Sequence, residues 1–400
     1  MKRSLSLLIV LILANVTVLF TRASDQRPAG VVEVVAGEDY RAKLSRLRPG
    51  DELRFLPGVH EGHAVVRVSG TPDRPITIRG VAVDGERPEL RFTGRGHNLW
   101  RIAGSHLRIK DLGFHATHAY GIRVERADDV TIENCTFREC GGGDISANSA
   151  HVQGLRIAGC RFIGSRRTPV YIGNHDGRLD IDDFVFEGNV IDGHRIDGGI
   201  GYGIQLKLNV RGGIIRDNLI VGTRGPGIMV YGVRDGGAED ASVIERNVVV
   251  GSRNNPGIAI GGGPAVVRDN LVIGCRAGGI SAFDYGGRGL LAGIRIEENT
   301  AAMNRGHDLS IRGRFEQSTL QANRIWTRPS DARLPEWNQA GLEVAANHVQ
   351  AGGRTLQQIV ERLDGVVPSD AAQRVMGQRL SQAMPQSEDE LVVLVQALLD

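Results

Sequence analysis

An all-β chain wound into a right-handed parallel β-helix is the fold class this sequence predicts. Three observations carry it. One short phrase recurs at steps of 23 (Leu112 to Cys135) to 29 (Asn189 to Asn218) residues, asparagine holds one fixed place in most copies, and a second apolar phrase entered through glycine precedes most of them.

The phrase reads apolar, any, apolar, two mostly polar residues, Asn or Cys, one residue, apolar. It begins with LRIKDLGF at Leu107, VTIENCTF at Val130 and LRIAGCRF at Leu155, and continues as FVFEGNVI at Phe184, GIIRDNLI at Gly213 and SVIERNVV at Ser242. AVVRDNLV at Ala265, IRIEENTA at Ile294, STLQANRI at Ser318 and a weaker EVAANHV ending at Val349 complete the series. Such steps are too short for helical pairs and suit three short strands with their turns, so each copy is one coil of a solenoid. Two apolar residues one apart put their side chains on the same, inward face of a strand.

The sixth position holds Leu112, Cys135, Cys160, Asn189, Asn218, Asn247, Asn270, Asn299, Asn323 and Asn347. An asparagine at one bend of successive coils can bond the backbone and its own copies above and below, which predicts an internal ladder. Cys135 and Cys160 share the column and are expected to be small buried fillers, a disulfide between them being the alternative. The second phrase, YGIRV at Tyr120, TPVYI at Thr168, YGIQLK at Tyr202, PGIMVY at Pro226, PGIAI at Pro256 and GGISAF at Gly278, predicts another strand per coil. Between Val65 and Val349 no helical period of ten residues separates these strands, which excludes a doubly wound α/β fold, and the steps are too short for propeller blades.

Lys2 and Arg3 precede an uncharged apolar run from Leu5 to Phe20 and the small residues Thr21-Arg22-Ala23, the pattern of an export signal over residues 1–23, with an uncleaved anchor as the alternative. The β-helix is expected over residues 24–352 and a helical tail over 353–400, where Leu356, Ile359, Val360 and Leu363 share one stripe. That tail is expected to close the far end of the solenoid rather than to pair with a partner. No second stretch reaches spanning length, so no membrane span is expected in the mature chain, and its place is the periplasm or the medium. A monomer is expected. With 48 basic against 46 acidic residues there is no net field to draw nucleic acid.

By these repeats the chain resembles the pectate-lyase-like superfamily of right-handed parallel β-helix proteins, which includes polysaccharide lyases, uronate epimerases and hydrolases. Residues 36–60, AGEDYRAKLSRLRPGDELRFLPGVH, also look like the start of such helices in lyases of the chondroitinase and alginate-lyase type. There Tyr40, Leu44 and Leu47 form one face of a short N-terminal capping helix. Further strands are expected at residues 63–68, 75–80 and 90–92. The resemblance implies a polysaccharide lying along the outside of one strand of each coil.

If Ile122, Ile145, Val170, Ile204, Ile228, Ile258 and Ile280 point inward, their neighbours point out: Arg123 and Glu125, Ser146 and Asn148, Tyr171, Gln205 and Lys207, Met229 and Tyr231, then the bland Ala259 and Gly261. Coils repeat at about 4.8 Å, close to one sugar, so such a row can follow a glycan. Uronate lyases and epimerases need a group to neutralise the carboxylate, a base for the adjacent proton, and a proton donor. Lys207 is expected as base, Tyr231 as acid, and Arg123 or Arg234 as neutraliser. Glu125, Asn148, Tyr171, His175, Gln205 and His118 are expected to contact substrate. His115 and His151 gather near the same coils, and the loops 173–183 and 231–240 are longer than turning requires. No cofactor is required by this reading. Asp176, Asp180, Asp182 and Asp183 leave calcium open without matching a calcium-loop spacing. Glu125 alone offers a carboxylate in the row, which disfavours a two-carboxylate hydrolase, and no Asp-Pro-His motif of the mannuronan epimerases is present. A non-catalytic polysaccharide-binding or envelope scaffold is the competing reading.

Overall fold

The computed structural model describes residues 28–193, 201–329, 333–363, 366 and 385–399. The export-signal segment and part of the expected tail lie outside them. The chain winds as a right-handed parallel β-helix of three sheets, with 15, 12 and 10 strands. One coil contributes Ile214–Arg216 to the first sheet, Leu219–Val221 to the second and Ile228–Val230 to the third. Registers run coil on coil, as in Ile204↔Ile228 and Ile228↔Ile258. The inward row Ile122, Ile145, Val170, Ile204, Ile228 and Ile258 is fully buried.

The asparagine ladder is present. Asn247 donates its Nδ2 to the Ile215 carbonyl at 2.9 Å and to Asn270 Oδ1 at 3.0 Å, while its own Oδ1 accepts from the Asn218 backbone N–H at 3.2 Å. The column runs from Asn189, which accepts from the Cys160 N–H at 2.8 Å, to Asn347 beside Asn323. Its geometry is set one residue earlier. Asp217, Arg246, Asp269 and Glu298 adopt φ of 56°, 51°, 53° and 58°, the left-handed region that breaks the strand so that the next side chain turns inward. Glycine serves at the same place in two coils, at Gly159 and Gly188, with φ of 60° and 62°.

A second internal polar column lies at the bend between the second and third sheets and is not anticipated from the sequence. Thr223 and Ser252 share a hydroxyl bond of 2.7 Å, Cys275 donates its N–H to Asn304 Oδ1 at 2.8 Å, and Asn304 Nδ2 reaches Asp308 at 2.6 Å. In an earlier coil the buried Ser165 bonds the buried Asp144. All four cysteines are buried free thiols, so Cys135 and Cys160 are fillers and not a disulfide.

The expected strands form at Ala64–Val66, Ile76–Gly80 and Pro88–Phe92. The expected N-terminal helix is a single turn, Arg41–Leu44, although Tyr40, Leu44 and Leu47 are buried in the main core. The tail departs from expectation more. Helices Arg354–Arg362 and Glu388–Leu399 pack along the flank of the second sheet, where Leu356, Ile359, Leu391, Leu394 and Leu398 join Leu219, Val248 and Leu271. The reason lies in the sheet: Leu219, Val221, Val248, Val250, Leu271 and Ile273 put apolar side chains on its outer face, which requires a cover.

Candidate functional site

On the outer face of the first sheet, arginines are matched by acids. Arg156 and Arg216 both pair with Glu187, and Arg268 with Glu245 at 2.6 Å. The outer face of the third sheet is different. Lys207, leaving the strand Ile204–Leu206, and Tyr231, leaving the next one, come together beneath two loops. Lys207 Nζ lies 4.0 Å from the Tyr231 ring centroid and 5.4 Å from that of Tyr171. Gln205 Nε2 donates to Tyr231 Oη at 3.0 Å. Loop 173–180 is held over them by a bond from Asn209 Nδ2 to the Gly177 carbonyl at 2.7 Å, which brings His175 Nε2 to 3.4 Å from Lys207 Nζ.

A strap at residues 284–290 covers the other side. Asp284 accepts from the Arg288 and Gly289 N–H groups at 2.6 and 2.9 Å. Tyr285 meets Tyr231 edge-on at 4.9 Å, and the Arg288 guanidinium lies 5.6 Å from the Tyr231 ring. Arg288 Nη1 is buried without a hydrogen-bond partner. Among the described residues, no carboxylate pairs with Lys207 or Arg288.

The enclosure sets the chemistry. Burial, then the Arg288 charge, pushes the Lys207 ammonium down to about 8. The Lys207 charge first, then burial and Arg288, depresses His175, so Lys207 donates and a neutral imidazole accepts. Burial and the Tyr285 hydroxyl raise Tyr231 well above the ordinary phenol range, keeping its proton in place. The site thus holds an amine able to lose its proton near neutral pH, a phenol that keeps its own, and an unneutralised guanidinium.

Of the residues expected from sequence, Lys207, Tyr231, Tyr171, His175 and Gln205 come together. The others do not. Arg123 lies three coils away, bound to Glu125 at 3.2 Å, and Glu125 also holds Arg101. Arg234 is exposed on its loop. His118 is exposed at a turn three coils from Lys207, and Asn148 is half-buried on the strand Gly143–Ala147 side with Oδ1 unpartnered. The outward row is also far less open than alternation implies: Lys207 is 4% exposed, Met229 2% and Tyr231 1%, because Tyr202, Tyr285 and Leu290 pack over it. Arg288, Tyr285 and Tyr202 were missed. The surplus of glycine at 286, 287 and 289 marks a loop, but not its fold back over a strand two coils earlier.

Of the four aspartates considered for calcium, Asp182 is held above the ordinary carboxylate range by burial and by the charges of Asp180 and Asp183. Asp180 and Asp240 flank Arg211 at 3.7 and 3.4 Å, and Asp183 accepts from Gln153 at 3.4 Å. Among the described residues, no three His, Cys, Asp or Glu side chains gather as metal ligands would, and no helix is long and apolar enough to cross a membrane.

Known proteins of similar structure share the fold. A GH136 lacto-N-biosidase from Eubacterium ramulus superposes with a TM-score of 0.56 at 13% identity, over 80% of this chain and 68% of that one. An alginate lyase from Paenibacillus sp. str. FPU-7 gives 0.44 at 14% identity, over 80% and 99%. A periplasmic alginate epimerase gives 0.48 at 14% identity, over 74% and 78%. No curated protein matches in sequence. A family model, right handed beta helix region, matches residues 101–301, half of the chain, and the chain belongs to the right-handed β-helix family.

Proposed function

We propose that this chain is an exported carbohydrate-active protein that acts as a lyase or epimerase on an acidic, uronate-containing polysaccharide. Fold similarity at this level of identity chooses no reaction, so the reading rests on side chains. One observation carries it: Lys207 and Arg288 converge on Tyr231 with no carboxylate between them, and Arg288 Nη1 is buried without an acceptor. The buried Lys207 ammonium is disfavoured by its desolvation and by the Arg288 charge, and a bound carboxylate relieves that cost.

Arg288 replaces Arg123 and Arg234 as the neutraliser of the uronate carboxylate, which acidifies the proton on the adjacent carbon. Unprotonated Lys207 takes that proton. In a lyase the carbon's electron pair then forms the double bond as the glycosidic C–O bond breaks, and Tyr231 gives its proton to the departing oxygen. In an epimerase the donor returns a proton to the opposite face of the same carbon. Gln205 orients the phenol, and Tyr171 and His175 wall the site. Substrate reaches the enclosed Lys207 only when strap 284–290 or loop 173–180 opens, which excludes water once closed.

The same enclosure favours a second reading, a binding scaffold in which the cluster grips sugar without turnover. Incubation of the purified chain with alginate, pectate and glycosaminoglycans, at several pH values and with calcium or chelator, separates the two. The enzyme produces ultraviolet-absorbing unsaturated ends or epimerised units by NMR, and Lys207→Ala abolishes them while glycan binding persists. Binding with no product under any condition selects the scaffold. Fractionation of the producing cells tests export: retention of the chain in the cytoplasm would exclude it.

A further inference from the structure

Contrary to the expectation that the outward row is featureless after Ala259, a cavity of about 390 Å³ opens on the third sheet beyond it. Ser281, Phe283, His307, Ser310 and Arg312 contribute to its lining. We infer that this cavity is a second sugar subsite, which holds a pyranose ring of the same glycan by its hydroxyls and its apolar face rather than by its carboxylate. The inference rests on the glycan reading of the Lys207 cluster for the identity of the chain bound, and on its own geometry for the rest.

Ser281 is the first ground. It is 5% exposed, its Oγ is buried without a hydrogen-bond partner, and it faces the cavity. A buried hydroxyl without a partner is costly, and a ligand hydroxyl at that place would recover that cost. His307 is the second. Its Nδ1 bonds the Leu334 carbonyl at 2.7 Å, which fixes the proton there and leaves Nε2 as an acceptor for a sugar hydroxyl. Phe283, half-buried, supplies an aromatic face of the kind on which the C–H face of a pyranose stacks.

Charge distinguishes this place from the Lys207 cluster. Arg312 is already paired with Glu336 at 2.7 Å, so it presents no unmatched charge to a uronate. Position ties the two together. The strands Gly278–Phe283 and His307–Arg312 lie two and three coils beyond the strand Ile228–Val230, which Tyr231 follows, roughly 10–14 Å at the usual strand spacing, or two to three sugars. Tyr285 lies 4.9 Å from the Tyr231 ring and 5.9 Å from that of Phe283, so a single ring stands between the two sites.

Isothermal titration of the Lys207→Ala protein with trimeric and hexameric oligomannuronate and oligogalacturonate tests the inference. For the better-bound series the hexamer is expected to bind at least tenfold tighter than the trimer. Phe283→Ala and Ser281→Val should each remove most of that advantage, leave trimer affinity within twofold, and keep the melting temperature of the parent. The part lost should persist in 0.5 M NaCl, because no net charge is involved. A hexamer with no advantage, an advantage that survives both substitutions, or one that disappears in salt would overturn the subsite. A length advantage that behaves as described, in a wild type that turns nothing over, upholds the subsite and rejects the enzyme.

Discussion

Lys207 Nζ stands 4.0 Å over the Tyr231 ring, a contact that favours the ammonium, while burial and then the Arg288 charge push its pKa down to about 8. The balance has a measurable sign. The unprotonated amine accumulates as pH rises through about 8, so kcat/KM of the active protein should rise across that window. Arg288→Gln removes the positive neighbour, and its profile should move to higher pH as well as fall in height. A profile flat from pH 7 to 9, or one displaced downward in the variant, would remove Lys207 from the role of base.

Tyr231 stays protonated at rest, since burial and Tyr285 hold its proton, and it can release that proton only to a strongly basic oxygen such as a departing alkoxide. Its use to a reaction is therefore donation. Tyr231→Phe keeps the ring beneath Lys207 and deletes only the hydroxyl, so kcat should drop by about 10²–10⁴-fold, the usual worth of a positioned acid. Oligosaccharide affinity should change by less than twofold. Equal losses in affinity and turnover would make the tyrosine a wall rather than a donor.

The repeats made the coils legible because inward alternation and the ladder position both recur in register. The site was legible only in part, for a physical reason. Lys207, Tyr231 and Gln205 lie on strand ends whose direction follows from Ile204 and Ile228, and Tyr171 on a strand whose direction follows from Val170. Arg288 and Tyr285 sit on a strap with no period, and its direction depends on contacts made only after folding, such as Tyr285 N–H to the Gly261 carbonyl at 3.3 Å. The flank position of the tail was hidden similarly. Leu219, Val248 and Leu271 fall at the unconstrained place after each ladder Asn, so the repeat alone does not mark their outward face as one that needs a cover.

The ladder carries stability that depends on every rung. Removing the Asn247 amide takes one donor from the Ile215 carbonyl, leaves the Asn218 N–H without its acceptor and breaks the side-chain contact to Asn270. Asn247→Ala should destabilise by roughly 2–4 kcal/mol, since several buried polar groups lose partners at once. Chemical denaturation measures it. A loss below about 0.5 kcal/mol would mean that water or a shifted backbone replaces the rung.

Leu391 is fully buried between the C-terminal helix and the second sheet, in the cluster with Leu219 and Val248. Leu391→Ala should cost about 2–5 kcal/mol of whatever unit the helix belongs to. If tail and solenoid unfold together, the main thermal transition moves down. Removal of residues 353–400 exposes Val248, Val250, Leu271 and Ile273 together, and light scattering should show association of the shortened chain. A shortened chain that stays monodisperse with an unchanged transition would show that the flank needs no cover.

Asp144 and Asp308 are enclosed in the second polar column, and burial raises both from the ordinary 3.8 to about 7. Each folded carboxyl therefore keeps a proton that the unfolded chain releases. Below 3.8 both states are protonated and nothing is lost; as pH climbs towards 7 the unfolded state gains, so stability falls through that window and the full penalty stands above it. At about 1.4 kcal/mol per unit, the ceiling is roughly 4 kcal/mol for each group. Paired carboxylates such as Glu187 and Glu245, whose pKa values are lowered by arginine, act oppositely and mainly below pH 4.5. Asp144→Asn with Asp308→Asn keeps acceptors for Ser165 and Asn304 and removes the titration. The double variant should gain stability over the parent progressively from pH 4 to 7 in urea unfolding, and hold that gain at pH 8. A difference between the two proteins that does not change with pH would mean that both carboxyls are ionised in the folded state throughout.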